Sequence, residues 1–393
     1  MEETRKKVYL DNSATTQMSM EVFDEMLPYL QLKYHNASAR YSDALHIKTA
    51  IQMARQKVAA LINADPDEIF FTSGGTESNN WAIKIGYGKD IRGGMITSMI
   101  EHPSVYNAVR EMKPPDEERT GPIFVRTDRY GFVNPKQIRS IADWYEMRGS
   151  GVGLVSIMMA NNEVGTIQPI NEIATLVHEY AGYLHTDAVQ AVGNIDIDVK
   201  EMGIDLLSMS SHKLYGPKGI GALYVERTVP KVPLLFGGGQ ESGMRSGTEN
   251  TAMIVGFGKA CELAKNNIEG HIKKLQRLRD KFVALLYESI PDIFIIGTDI
   301  RSKRLPGNIA IAFEGVEAES LLMMLDGYGI CCSVGSACSS NKLEPSRVLK
   351  AMNVPDELLH CVVRFSFGDQ NTNEDVEYAV EKIRQCVELL RGM

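Results

Sequence analysis

Short apolar runs alternate with helix-length amphipathic segments through the first two-thirds of the chain. The runs at 68–72, 95–99, 123–126, 153–159, 183–187, 206–210 and 222–225 read as strands, several apolar throughout and ending in small or polar residues. Continuous apolar strands arise where helices cover both faces of a sheet. The segments 43–62, 78–85, 104–111, 135–144 and 170–180 carry helical periodicity between them. This β–α alternation predicts an α/β domain around a mostly parallel sheet. Beyond about residue 255 the rhythm changes. A long charged helix is expected over 254–289, with a break in it, followed by strands at 292–296 and 307–313 and a helix at 318–328. A Cys/Ser/Gly-rich stretch, a strand at 362–366 and a last helix near 373–391 complete a smaller α+β unit. Gly237 to Gly239 and Arg245 to Thr248 read as an irregular loop before the join.

Composition narrows the class. The chain has 393 residues, 44% hydrophobic and 23% charged, as in ordinary globular domains, which excludes a disordered, collagen-like or disulfide-built chain. Its net charge, 42 − 50 = −8, argues against nucleic acid as a direct partner, because phosphate neutralisation needs clustered cations. The charged first residues lack an apolar core for a secretory signal, and the most apolar run, 151–160, is about half the length a membrane span needs. A cytoplasmic protein without membrane contact is therefore expected, with its six cysteines reduced. Of these, Cys331 and Cys332 end an apolar run and are expected to be buried; a zinc site lacks a second Cys or His pair at ligand spacing.

Four strands end in chemically loaded residues, where open α/β sheets bind ligands. Phe71-Thr72-Ser73-Gly74-Gly75-Thr76-Glu77-Ser78 runs from strand to helix through a glycine pair and hydroxyls, a setting for phosphate or for a plain capped turn; no Gly-Lys-Ser/Thr follows, so it is not a Walker loop. Asp187 closes an apolar strand, where a carboxylate needs a cationic partner or serves as an N-cap. Lys213 follows a strand and precedes Gly216-Pro217, which makes it a Schiff-base candidate, whereas Lys218 reads as a solvated loop residue. His102, in Glu101-His102-Pro103, could stack on a ring, shuttle a proton or be structural. A phosphate cradle, a strand-end Asp and a strand-end Lys are together the contacts that pyridoxal 5′-phosphate requires.

These motifs closely resemble the cysteine desulfurases of the class-V aminotransferase group. The resemblance covers nearly the whole chain, from Tyr9-Leu10-Asp11-Asn12-Ser13-Ala14-Thr15-Thr16 through Thr72–Asn80, Glu101-His102-Pro103, Asn161-Asn162-Glu163-Val164-Gly165 and the Asp187 and Lys213 segments. It continues through Gly237-Gly238-Gly239-Gln240-Glu241, Arg245-Ser246-Gly247-Thr248 and Gly335-Ser336-Ala337-Cys338-Ser339 to Arg364-Phe365-Ser366-Phe367-Gly368. It implies the type I fold of pyridoxal-phosphate enzymes: a large cofactor-binding α/β domain over 16–258, and a small α+β domain made of 1–15 and 259–393 that carries a catalytic cysteine loop.

The resemblance also implies roles. Lys213 would carry the cofactor covalently and act as base, Asp187 would pair with the ring nitrogen, and Gln190 and Asn162 would contact the ring's oxygen side. His102 would stack on the ring. Gly75, Thr76, Ser210 and His212 would bind the phosphate with Thr248 of a second subunit, which implies a homodimer. Arg364, with Asn162, would hold the substrate carboxylate, and Cys338 would accept sulfur from L-cysteine as a persulfide. An acceptor such as an iron–sulfur scaffold or a tRNA-thiolation protein would then receive it. No metal is implied. A selenocysteine lyase, a class-V aminotransferase, for which Cys338 would be dispensable, and a non-catalytic relative are the competing readings. One stretch departs from the family pattern: Asn36-Ala37-Ser38-Ala39-Arg40-Tyr41-Ser42-Asp43-Ala44 lacks the usual Pro, second Ser, His and Gly near the substrate entrance. Ser242 also stands where many relatives carry a larger polar residue.

Overall fold

The computed structural model describes residues 6–88, 93–112, 120–301, 303–334 and 345–392. In chain order the strands are β1 (Val8–Tyr9), β2 (Ile69–Thr72), β3 (Gly94–Ser98), β4 (Ile123–Val125), β5 (Val152–Ser156), β6 (Tyr183–Asp187), β7 (Leu206–Ser210), β8 (Gly221–Val225), β9 (Ile293–Ile296), β10 (Asn308–Phe313), β11 (Ile330–Cys331), β12 (Ser333–Val334) and β13 (Val362–Ser366). The helices are α1 (Met20–Gln31), α2 (Ser42–Leu61), α3 (Gly75–Gly86), α4 (Pro103–Glu111), α5 (Pro135–Met147), α6 (Ile170–Glu179), α7 (Thr251–Ser289), α8 (Ala318–Gly327), α9 (Arg347–Ala351) and α10 (Asn373–Arg391).

The seven apolar runs of the first two-thirds form one sheet in the order β2-β8-β7-β6-β5-β3-β4. From β7 to β4 every pairing is parallel, and only β8 runs antiparallel, to both β7 and β2. Strands β3, β5, β7 and β8 are buried at every position, which explains their unbroken apolar character. A second, antiparallel sheet, β12-β13-β10-β9, belongs to the later part of the chain, and β1 pairs parallel with β11.

Helix α7 joins the two regions. Its first half places Ile254, Phe257, Ala260 and Cys261 in the core of the large sheet, and its second half places Leu275, Leu278, Phe282 and Leu286 in the core around β10 and β13. The expected break is at Asn267, whose φ of −133° and ψ of 18° leave the helical region.

Three differences from expectation have physical causes. Helix α1 is not among the expected elements because Pro28, a residue that ordinarily breaks a helix, lies inside it. Helix α3 begins at Gly75, three residues before its expected start at 78, because weak intrinsic propensity at a glycine hides the first turn. Cys331 is exposed and Cys332 only partly covered, because β11 pairs with just the two residues of β1.

The irregular stretch before α7 is fastened to the sheet. Glu241 forms a bidentate pair with Arg55 of α2, at 2.6 and 2.8 Å, and accepts the Phe71 N–H at 2.9 Å. Arg55 also donates to the Ile69 carbonyl, and its guanidinium lies 4.7 Å from the Phe71 ring centroid. Both side chains are withdrawn from solvent, so removing one strands the other. Arg55→Ala is expected to cost about 3–5 kcal/mol, read as a lowered melting temperature in thermal denaturation; an unchanged melting temperature would contradict this anchoring.

Candidate active site

The carboxyl ends of β2, β6 and β7, with the segments after β3 and β5, surround one cavity of about 300 Å³. Gly75, Thr76, His102, Asn162, Asp187, Gln190, Ser210, His212, Lys213 and Arg364 all line it, with Ser13, Ala14, Asn79, Ser104, Met158 and Val189. Parallel strands present their C-terminal ends at one edge, which brings together residues from distant motifs. Thr248 is exposed and lies outside this lining. Cys338 lies outside the described residues.

The lysine is aimed by the N-terminal segment. Ser366 N–H donates to the Leu10 carbonyl at 2.7 Å, and Thr16 N–H donates to the His212 carbonyl at 2.9 Å. The chain between them is thereby stretched across the cavity edge. Its Ser13 and Ala14 carbonyls accept hydrogen bonds from Lys213 Nζ at 2.5 and 2.7 Å, and the Ser13 carbonyl also accepts from Gln190 Nε2 at 2.8 Å.

Asp187 is oriented by neutral donors. Its Oδ2 accepts from Asn79 Nδ2 at 2.7 Å and its Oδ1 from the Val189 N–H at 3.0 Å. The other hydrogen of Asn79 Nδ2 reaches Ser104 Oγ at 2.8 Å, and Ser104 Oγ lies 2.7 Å from His102 Nδ1. Because Nδ1 also accepts the Ser104 N–H, at 3.2 Å, the neutral ring keeps its proton on Nε2. Burial pulls the His102 pKa below its ordinary value; Asp187 opposes this, and the Lys213 and Arg347 cations add to it. Burial, helped by Lys213 and Lys218, also lowers His212, to about 4. Both imidazoles are thus neutral near pH 7. Asn79 and Ser104 are not singled out by sequence reasoning; the available signal was their place inside the two strand-end motifs.

The phosphate corner follows from backbone geometry. Gly74 has φ +150°, and a Cβ on Gly75 would meet Val189 Cγ2 at 2.6 Å, so both positions require glycine. The first turn of α3 presents its unpaired N–H groups and positive dipole end beside Ser210 and His212. At the opposite side, Arg364 pairs with Asp11 at 2.7 Å and donates to the Asn162 carbonyl at 3.2 Å, while its buried Nε has no partner among the described residues. A guanidinium with a donor to spare suits a carboxylate guest. The donor set therefore fits pyridoxal phosphate: helix N-terminus for phosphate, Asp187 for the pyridine nitrogen, and Lys213 for the covalent link.

Behind His102, the Glu101 carboxyl is buried. Its Oε1 accepts from Ser98 Oγ at 2.5 Å and Met158 N–H at 3.0 Å, whereas Oε2 has no partner among the described residues. Burial raises its pKa to about 8, with Asp187 adding to the rise. Between the usual carboxylate value and about 8 the folded protein holds a proton that the unfolded chain has lost, so stability falls as pH rises through that window. Glu101→Gln imitates the neutral acid. Its melting temperature is expected to fall less than the wild type's between pH 6 and 9; parallel curves would rule out a raised pKa.

Comparison with known proteins gives a consistent family. The aminotransferase class-V family matches residues 8–379. The chain is 45% identical over 390 residues to a cysteine desulfurase IscS of Clostridium botulinum, covering 99% of this chain and 96% of the relative. It is 46% identical over 390 residues to the cysteine desulfurase IscS of Methanosarcina thermophila, covering 99% and 94%. A solved NifS-like protein superposes with a TM-score of 0.88 at 33% identity, covering 98% of this chain and 100% of that one.

Proposed function

This chain belongs to the aminotransferase class-V family, and we infer that it is a pyridoxal 5′-phosphate-dependent cysteine desulfurase with the type I fold. The observation that carries this reading is the single cavity joining Lys213, Asp187, His102, the N-terminus of α3 and Arg364, in a chain whose full-length relatives bear that activity.

When bound, pyridoxal phosphate supplies an electron sink for the pair left at the substrate's Cα. Lys213 moves the Cα proton, with the Ser13 and Ala14 carbonyls holding its Nζ at the cavity edge. Arg364 and Asn162 would hold the substrate carboxylate, and Gln190, which lines the same cavity, would contact the oxygen side of the ring when the cofactor is bound. In the transfer step the Cys338 thiolate forms an S–S bond to the substrate sulfur as the Cβ–S bond of L-cysteine breaks. The electron pair remains on the carbon fragment, which gains protons and leaves as L-alanine, and the persulfide stays on Cys338. A protein acceptor, such as an iron–sulfur scaffold or a tRNA-thiolation protein, takes the sulfur onward in the cytoplasm. A thiol acceptor has no purpose in an aminotransferase, which favours the desulfurase over that alternative.

The division into a large domain at 16–258 and a small one from 1–15 and 259–393 is part of this reading, supported by separate cores on the two halves of α7. Among the described residues no helix is long and apolar enough to cross a membrane. A homodimer is supported by exposed apolar side chains on and after α1, including Met20, Leu27, Leu30, Leu32 and Tyr34, and by Phe236, which is 86% exposed. Thr248, exposed and outside its own cavity, would complete the partner's phosphate site.

The purified protein is expected to show a visible cofactor band and to release alanine and sulfide from L-cysteine with a reductant. Lys213→Ala should abolish turnover, and Cys338→Ala should keep the band but lose the persulfide. A colourless protein, or full turnover in either variant, would refute the assignment. Light scattering should give the mass of a dimer, and Thr248→Ala should weaken cofactor retention without changing that mass. A monomer with full cofactor occupancy would contradict the shared site.

A further inference from the structure

The segment that begins at Ser346, eight residues beyond Cys338, is fastened to the wall of the cofactor cavity at three places. Ser346 caps α9 by accepting the N–H groups of Val348 at 3.1 Å and Leu349 at 3.4 Å, and its hydroxyl donates to Glu163 Oε2 at 2.5 Å. Glu163 is the neighbour of Asn162, and the Asn161 side chain holds its N–H at 2.9 Å. Arg347 donates to the carbonyls of Met99 and Glu101, on the segment that ends in His102, and its guanidinium lies 3.9 Å from the Tyr106 ring centroid. Val348 and Leu349 are buried in one cluster with Ile100, Met158 and Val164, from the same two wall segments.

Each contact reinforces the others. Arg347 satisfies two strand-end carbonyls that would otherwise be short of donors. The planar guanidinium over Tyr106 adds attraction that an ammonium would not reproduce. Burial raises the Glu163 carboxyl to about 7, so the Ser346 hydroxyl is a needed partner for a group held in cover.

We propose that Ser346 and Arg347 are positioning residues for sulfur transfer, fixing the end of the Cys338 tether to the two loops that present His102 and Asn162. This rests on the desulfurase reading. Eight peptide units separate Cys338 from Ser346, so the chain length limits the separation of their Cα atoms to about 28 Å. Holding that anchor still raises the effective concentration of the thiolate at the substrate sulfur, whereas cofactor and substrate carboxylate are held by other residues.

The test is a single-turnover measurement of persulfide on Cys338, by alkylation and mass spectrometry, in holoenzyme carrying Arg347→Ala or Ser346→Ala. We expect the cofactor absorbance, the L-cysteine concentration giving half-maximal spectral change and KM to stay as in the wild type. The persulfide rate and kcat should fall, by roughly tenfold for Arg347→Ala. Arg347→Lys should restore only part of the rate. Ser346→Ala keeps the test open if Arg347→Ala does not fold. Wild-type persulfide rates in the variants would overturn the inference alone, as would a loss of cofactor in proportion to rate. Absence of persulfide in the wild type would overturn the desulfurase reading, and this inference with it.

Discussion

A parallel sheet covered on both faces drives charged side chains to its strand ends. Along β3, β5 and β7 every residue is buried, so the charged groups collect where the strands end. Because β3, β5, β6 and β7 run the same way, those ends lie at one edge. Glu101 and His102 follow β3, Asn161 and Asn162 follow β5, Asp187 closes β6, Ser210 closes β7, and His212 and Lys213 follow it. β2, also parallel to β7 across the antiparallel β8, brings Gly75 and Thr76 to the same edge. The cavity is thus a consequence of strand direction.

Electrostatics within that cavity is settled by burial more than by ion pairing. His102 and His212 are held neutral, and Asp187 is turned by the Asn79 amide instead of by a salt bridge. The Asn79–Ser104 link makes the orientation of His102 dependent on that of Asp187. Cationic partners sit at the margins: Lys213 against backbone carbonyls, Arg364 against Asp11, and Arg347 against the Met99 and Glu101 carbonyls. The cavity therefore sets neutral imidazoles and the Asp187 carboxylate inside a rim of cations.

Much of this architecture was legible from the chain. The seven strands of the large sheet stand within a few residues of their apolar runs, and the break in α7 lies inside the expected long helix. Candidate site residues Gly75, Asp187 and Lys213 stood out because strand ends with glycine, hydroxyl or charge are uncommon in an apolar pattern. Helix α1 was hidden by Pro28. The exposure of Cys331 was hidden because an apolar run looks alike whether its strand is central or at a two-residue edge.

By itself the sequence determined the elements, the strand-end chemistry and the family, because these reside in local patterns and motif order. Only the tertiary structure decided which groups meet. The Ser13 and Ala14 carbonyls reach Lys213 across about half the chain, Asn79 reaches Asp187, and Arg347 reaches the Met99 carbonyl from the far end of the molecule. No periodicity encodes such contacts. They arise when the sheet order β2-β8-β7-β6-β5-β3-β4, the strap from β1 to His212 and the docking of α9 are in place, because buried polar groups must then find partners among whatever the fold has set beside them.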